Sequence, residues 1–75
     1  MEATHNQIFK HYKDNLYQFL YIATHSETRE ELVVYRALYG EHGVWVRPKE
    51  MFFGTVVVDG VEVPRFAAVA DRTAI

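Results

Sequence analysis

Cysteine is absent from the 75 residues. Neither a disulfide nor a thiolate zinc site can therefore support the fold, and the absence fits a reducing compartment. No apolar run approaches the roughly 18–20 residues that a membrane-spanning helix needs. The opening stretch MEATHNQIFKHYKD also lacks the apolar centre of a signal peptide. The expectation is a soluble cytoplasmic protein with no membrane partner. An excess of one charge is missing too: eight basic residues face ten acidic ones, for a formal net charge of −2. That balance exerts no general pull on nucleic acid or anionic lipid, so nucleic acid is not the expected partner. Catalytic signatures are missing as well. The chain holds no G-x-S-x-G elbow, phosphate-binding loop, H-E-x-x-H or C-x-x-C. His25-Ser26-Glu27 has the H-x-E form of zinc deaminases, but the paired cysteines that chemistry requires are not there.

With four glycines and two prolines, the chain shows no linker, repeat or low-complexity tract. Hydrophobic residues make up 49% and aromatic residues 15%, enough for an independent core. The organisation expected is one domain over residues 1–75, ordered from about 9 to 69, with a loose polar stretch over 1–7. A chain this short buries only about 60% of its unfolded surface, so its stability margin is thin.

The pattern is that of strands. Phe9–Tyr12 reads as a short extended segment, and Lys13-Asp14-Asn15 as a turn, because Asp and Asn tolerate left-handed dihedrals. LYQFLYIAT, residues 16–24, is rich in aromatic and β-branched residues and reads as a long strand. LVVYRALY, residues 32–39, reads the same way, although Thr28 and Glu31 also match a helix-starting capping box. Residues 40–43 make a turn and 44–47 a short strand. VVVDGVEV is the clearest hairpin: Asp59-Gly60 suits a type I′ turn and sets Val58 against Val61 and Val56 against Val63. Pro64 ends that strand or sits on an edge, and RFAAVADRTAI adds a last short strand or a helical turn.

Alternation along the two longest strands separates an odd face (Tyr17, Phe19, Tyr21, Ala23; Val33, Tyr35, Ala37, Tyr39) from an even face carrying Gln18 and Arg36. Burying an unpaired guanidinium is costly, so the odd, aromatic face is the expected core, paired Phe19 with Tyr39 and Tyr21 with Ala37. The even face remains apolar enough to need a cover: a terminal segment, a curled sheet, or a homodimer partner.

HYK (11–13), A-x-HSET (23–28), ELVVYRALYG (31–40), WVRP-x-EMF (45–52) and VPRF (63–66) resemble a bacterial family of short proteins catalogued as domain of unknown function 1653. The likeness runs from His11 to Phe66. It implies a stand-alone, mainly β domain, a small antiparallel barrel of SH3-like type with one short helical turn near residues 48–53. It implies no activity. Asp14-Asn15 stands where that pattern often has a glycine turn, and Gly54 interrupts a helix-compatible run.

Four histidines, at 5, 11, 25 and 42, fit no metal-ligand spacing, and neither a metal nor a cofactor is expected. His25, beside Ser26 and Glu27, is the histidine best placed for acid–base work; the plainer reading is a loop whose hydroxyls bond its backbone. In WVRPKEMF, Pro48 suits a first helical position, Glu50 favours the positive end of the dipole, and Met51 and Phe52 point into the core. Arg47 either pairs with Glu50 or sits beside Trp45 as a guanidinium with an aromatic wall, an arrangement suited to carboxylates or phosphates. The function expected is a non-enzymatic binding module for a peptide, a protein or a small anionic ligand. Its rim would comprise Tyr35, Trp45, Arg47, Glu50 and Arg65 with His25 and Glu27 of the neighbouring loop. The alternatives are a nucleic-acid-binding domain on that rim, with Lys10, His11 and Lys13 added, and a small His25-dependent enzyme at a dimer interface.

Overall fold

The computed structural model describes residues 6–70. The polar stretch 1–5 with His5, and residues 71–75, lie outside the described residues. Alternating apolar residues produce strands where expected: β1 (Ile8–His11), β2 (Leu16–Thr24), β3 (Glu31–Ala37), β4 (Val44–Pro48), β5 (Thr55–Val58), β6 (Val61–Pro64) and β7 (Phe66–Ala70). One short helix, α1 (Lys49–Phe52), follows Pro48. The Thr28–Glu31 segment does not start a helix. Thr28 Oγ1 instead accepts from the Glu30 amide at 3.2 Å, and β3 begins at Glu31.

The fold is mainly β and antiparallel with one helical turn near 48–53, but among the described residues the strands do not close into a barrel. Five form an open sheet in the order β4-β3-β2-β1-β7, and β5-β6 form a separate two-stranded hairpin. Asp59 and Gly60 both take positive φ (53° and 80°), as a type I′ turn demands, and Val58 opposes Val61 while Val56 opposes Val63. Asp14, with φ of 81°, makes the β1–β2 turn.

The aromatic face of β2 and β3 is the core at Phe19, Val33, Tyr35 and Ala37, all buried. Phe9 from β1 and Phe66 from β7 join it, and α1 lays Phe52 across it. The register differs from expectation. The β2–β3 loop closes with the His25 amide on the Glu30 carbonyl at 2.8 Å and pairs Tyr21 with Val34, and one bulged residue further along sets Phe19 opposite Tyr35 and Tyr17 opposite Ala37. The bulge, between Phe19 and Tyr21, flips the alternation, so Tyr21 opposes Val34 on the outer face and is 61% exposed. Tyr39 lies beyond β3 and is exposed at the rim. The outer face keeps Tyr21, Val44 and Val46 in solvent.

Candidate functional site

Strand pairing brings Tyr17, Tyr35, Trp45 and Arg47 onto the core side of the sheet: Tyr17 opposes Ala37, Tyr35 opposes Trp45, and Val33 opposes Arg47. At this edge the core gives way to polar tips. Tyr17 Oη and Tyr39 Oη share a hydrogen bond of 2.7 Å. The Tyr17 ring stands edge-on to Tyr35, Tyr39 and Phe66, with centroids 5.3 to 5.5 Å apart.

Arg47 takes neither of the partners expected for it. Its Nε donates to Tyr35 Oη at 3.3 Å and its Nη1 to the Met51 sulfur at 3.4 Å. Its Cζ lies 5.9 Å from the Phe66 ring centroid, at cation–π distance. The sulfur belongs to α1, so the turn set by Pro48 is what brings Met51 back to Arg47. Among the described residues no carboxylate lies within ion-pairing distance of this guanidinium; the ion pairs they form are Lys10–Asp14 and Lys49–Glu31. Trp45 turns the other way. A side-chain carbon added at Gly43 would stand 3.4 Å from the indole nitrogen, so the ring lies back over residue 43.

His11 and Arg65 complete this side of the site. His11 opposes Phe66 in the sheet, and its ring meets the Phe66 ring edge-on at 4.9 Å. Its Nδ1 accepts from the Lys13 amide at 3.1 Å, which places the ring proton on Nε2. Burial, and then the positive charges of Arg47, Arg65 and Lys13, hold its pKa below the ordinary value. Three cations thus act on one imidazole, and the local potential is positive although the whole chain is slightly acidic. The Arg65 side chain keeps a buried Nε without a hydrogen-bond partner. Desolvation and the Tyr39 hydroxyl push the Tyr17 phenol up to about 12, so it stays protonated and can donate.

The remaining candidates fall elsewhere. His25 Nδ1 accepts from the amides of Glu27 (3.1 Å) and Thr28 (3.3 Å), so this histidine caps its own loop. Glu50 is exposed and lines an open cleft of about 440 Å³ with Pro48, Met51, Gly54 and Arg65. The structure therefore joins Tyr35 directly to Arg47 and sets Glu50 beside Arg65, whereas His25 and Glu27 contact each other. Tyr17 and Tyr39 stand at this edge although the sequence placed them only on the core face, and His11, expected there only for the nucleic-acid alternative, joins them. Among the described residues no cluster of three or more His, Asp or Glu could hold a metal ion, and no helix is long and apolar enough to cross a membrane.

These features define a small antiparallel β domain with a cationic, tyrosine-lined edge. The chain belongs to the family described as Protein of unknown function (DUF1653), whose model matches residues 7–68. It is similar to a crystal structure of a DUF1653 protein from Bordetella bronchiseptica, with 33% sequence identity and a TM-score of 0.81. That likeness covers 95% of this chain and 94% of the other. No curated protein matches the chain.

Proposed function

We propose that this domain is a non-enzymatic binding module that receives a small carboxylate or phosphate at the edge formed by Arg47, Tyr35, Tyr17 and Tyr39. The observation that carries this reading is the Arg47 guanidinium, which is held by a phenol, a thioether and an aromatic face and has no acidic neighbour among the described residues. Those contacts orient the planar fork without neutralising it, and a guanidinium so fixed is preorganised for an anion. Arg65 adds positive potential, neutral His11 a donor on Nε2, and the protonated Tyr17 a neutral hydroxyl.

The test is a titration of the intact protein with inorganic phosphate and, separately, with benzoate, followed by amide chemical shifts. Saturable shifts are expected at Tyr35, Arg47 and Met51. They should weaken as salt rises and disappear in Arg47→Ala. Arg47→Lys should retain little binding, because the point charge loses the fork. Shifts that Arg47→Ala leaves unchanged, or no shifts with either probe, would overturn the reading.

A further inference from the structure

β4 is the terminal strand of the sheet, and its hydrogen bonding determines what it offers on the open side. The Ala37 amide donates to the Gly43 carbonyl, in the register that opposes Tyr35 to Trp45 and Val33 to Arg47. In an antiparallel ladder such bonded pairs alternate with non-bonded ones. Gly43, Trp45 and Arg47 therefore turn their backbone groups toward β3, and Val44, Val46 and Pro48 turn theirs away. The β2–β3 ladder agrees: the Leu38 amide donates to Leu16, so even residues of β3 face β2 and odd ones face β4. Among the described residues no strand covers the far side of β4. The side chains flanking this open edge are exposed, at 59% for both Trp45 and Val46.

We infer that a second copy of this chain pairs antiparallel along β4, with its two-fold axis at Val46, and that Trp45 of each copy covers Arg47 of the other. The ladder leaves two registers, with the two-fold at Val46 or at Trp45. The second bonds Val44 to Val46 but sets Trp45 against its own counterpart and Arg47 against Gly43, so the pairing of Trp45 with Arg47 selects the first. Pairing an even residue with an odd one would oppose outward backbone groups to groups already used by β3. A two-fold at Val44 would need residues 42 and 43 extended, but His42 has a left-handed φ of 58°. A two-fold at Pro48 would centre on a residue with no N–H. At Val46, that residue meets its own counterpart in a fully bonded pair, and Val44 meets Pro48. Trp45 then lies opposite Arg47 on the core side, in a non-bonded pair where side chains approach closest. An indole across a guanidinium that lacks an acid is a favourable cation–π pair. The partner copy thus supplies the aromatic wall that Trp45, turned over residue 43, does not provide within its own chain. The inference stands whether or not an anion binds.

A ladder this short lies at the small end of specific interfaces, so the dimer is reversible and concentration-dependent. Trp45 is the sole tryptophan, so its fluorescence reports this interface alone. Sedimentation velocity across a concentration series should show association, with Trp45 emission moving to shorter wavelength over the same range. Because Val46 opposes itself, Val46→Lys and Val46→Glu each place like charges face to face and should weaken association about tenfold or more. Mixing the two variants should restore it. Circular dichroism and melting check that each variant keeps its fold, as a change at an exposed edge side chain should allow. A wild-type protein monomeric at every concentration would overturn the inference. So would a dimer that both single variants leave intact, or one whose formation leaves Trp45 emission still. Variants that dissociate alone yet fail to combine would overturn the register.

Discussion

Phe52 and Phe66 stack face to face, their ring centroids 4.1 Å apart and their planes 8° from parallel. One comes from α1 and the other from β7, elements otherwise separated by the β5–β6 hairpin. Phe9 and Tyr35 meet the Phe52 ring at 5.3 and 5.4 Å, so this stack joins helix, central strands and edge strand in one cluster. Phe52→Ala would empty a fully buried site. Its expected cost is about 3–5 kcal/mol, measured by chemical denaturation, whereas Phe52→Leu should cost clearly less.

Gly54 follows α1 closely, and a side-chain carbon there would lie 2.8 Å from the Glu50 carbonyl oxygen. That oxygen is backbone, so relief requires the helix end to move. Gly54→Ala should lower stability by about 1–3 kcal/mol through this overpacking. It should also disturb the Met51 contact to Arg47, visible as a shift of the Met51 methyl resonance. An unchanged melting temperature would show that the turn yields freely.

His11 gives the fold an acid-side pH dependence. Its pKa in the fold lies below the ordinary 6.5, mainly through burial and then through Arg47, Arg65 and Lys13. The unfolded chain therefore binds more protons, and stability should rise as pH climbs from the depressed folded value to about 6.5. Below that window the contribution is lost. Replacing His11 with Gln should flatten this part of the stability–pH curve; a curve of unchanged slope would assign the dependence elsewhere.

Tyr17 acts at the opposite end of the scale. Its folded pKa of about 12 exceeds the ordinary 10.0. The unfolded chain then releases its proton first, so the contribution is complete below about pH 10 and fades as pH rises toward the folded value. Tyr39→Phe removes the hydroxyl partner. It should lower the Tyr17 titration midpoint, read from ultraviolet phenolate absorbance.

Strand positions, the Asp59-Gly60 hairpin and the aromatic core face are legible in the sequence because period-two patterning and turn chemistry are local. The β2–β3 register is not. Nothing in HSETRE marks a loop closed by His25 and Glu30, and that closure together with the bulge moves the partner of Phe19 from Tyr39 to Tyr35. The bulge at Leu20 is also silent, since leucine suits either face. At the candidate site, WVRP draws attention through its charge and its indole. The partners that Arg47 takes are a thioether and a cross-strand phenol, neither of which advertises itself as a guanidinium ligand. His11 becomes relevant only once β1 pairs with β7 and sets it beside Phe66.

The β5–β6 hairpin forms its own two-stranded sheet, and its only half-buried valines are Val56 and Val63. So small an anchorage separates its opening from that of the five-stranded sheet. Its amides should exchange with solvent hydrogen through local opening, at rates that mild denaturant barely changes, while those of β2 and β3 await global unfolding. The molecule then holds two units of unequal cooperativity within one short chain. The less protected unit carries the valine-rich strands that a crowded cell would test first for aggregation.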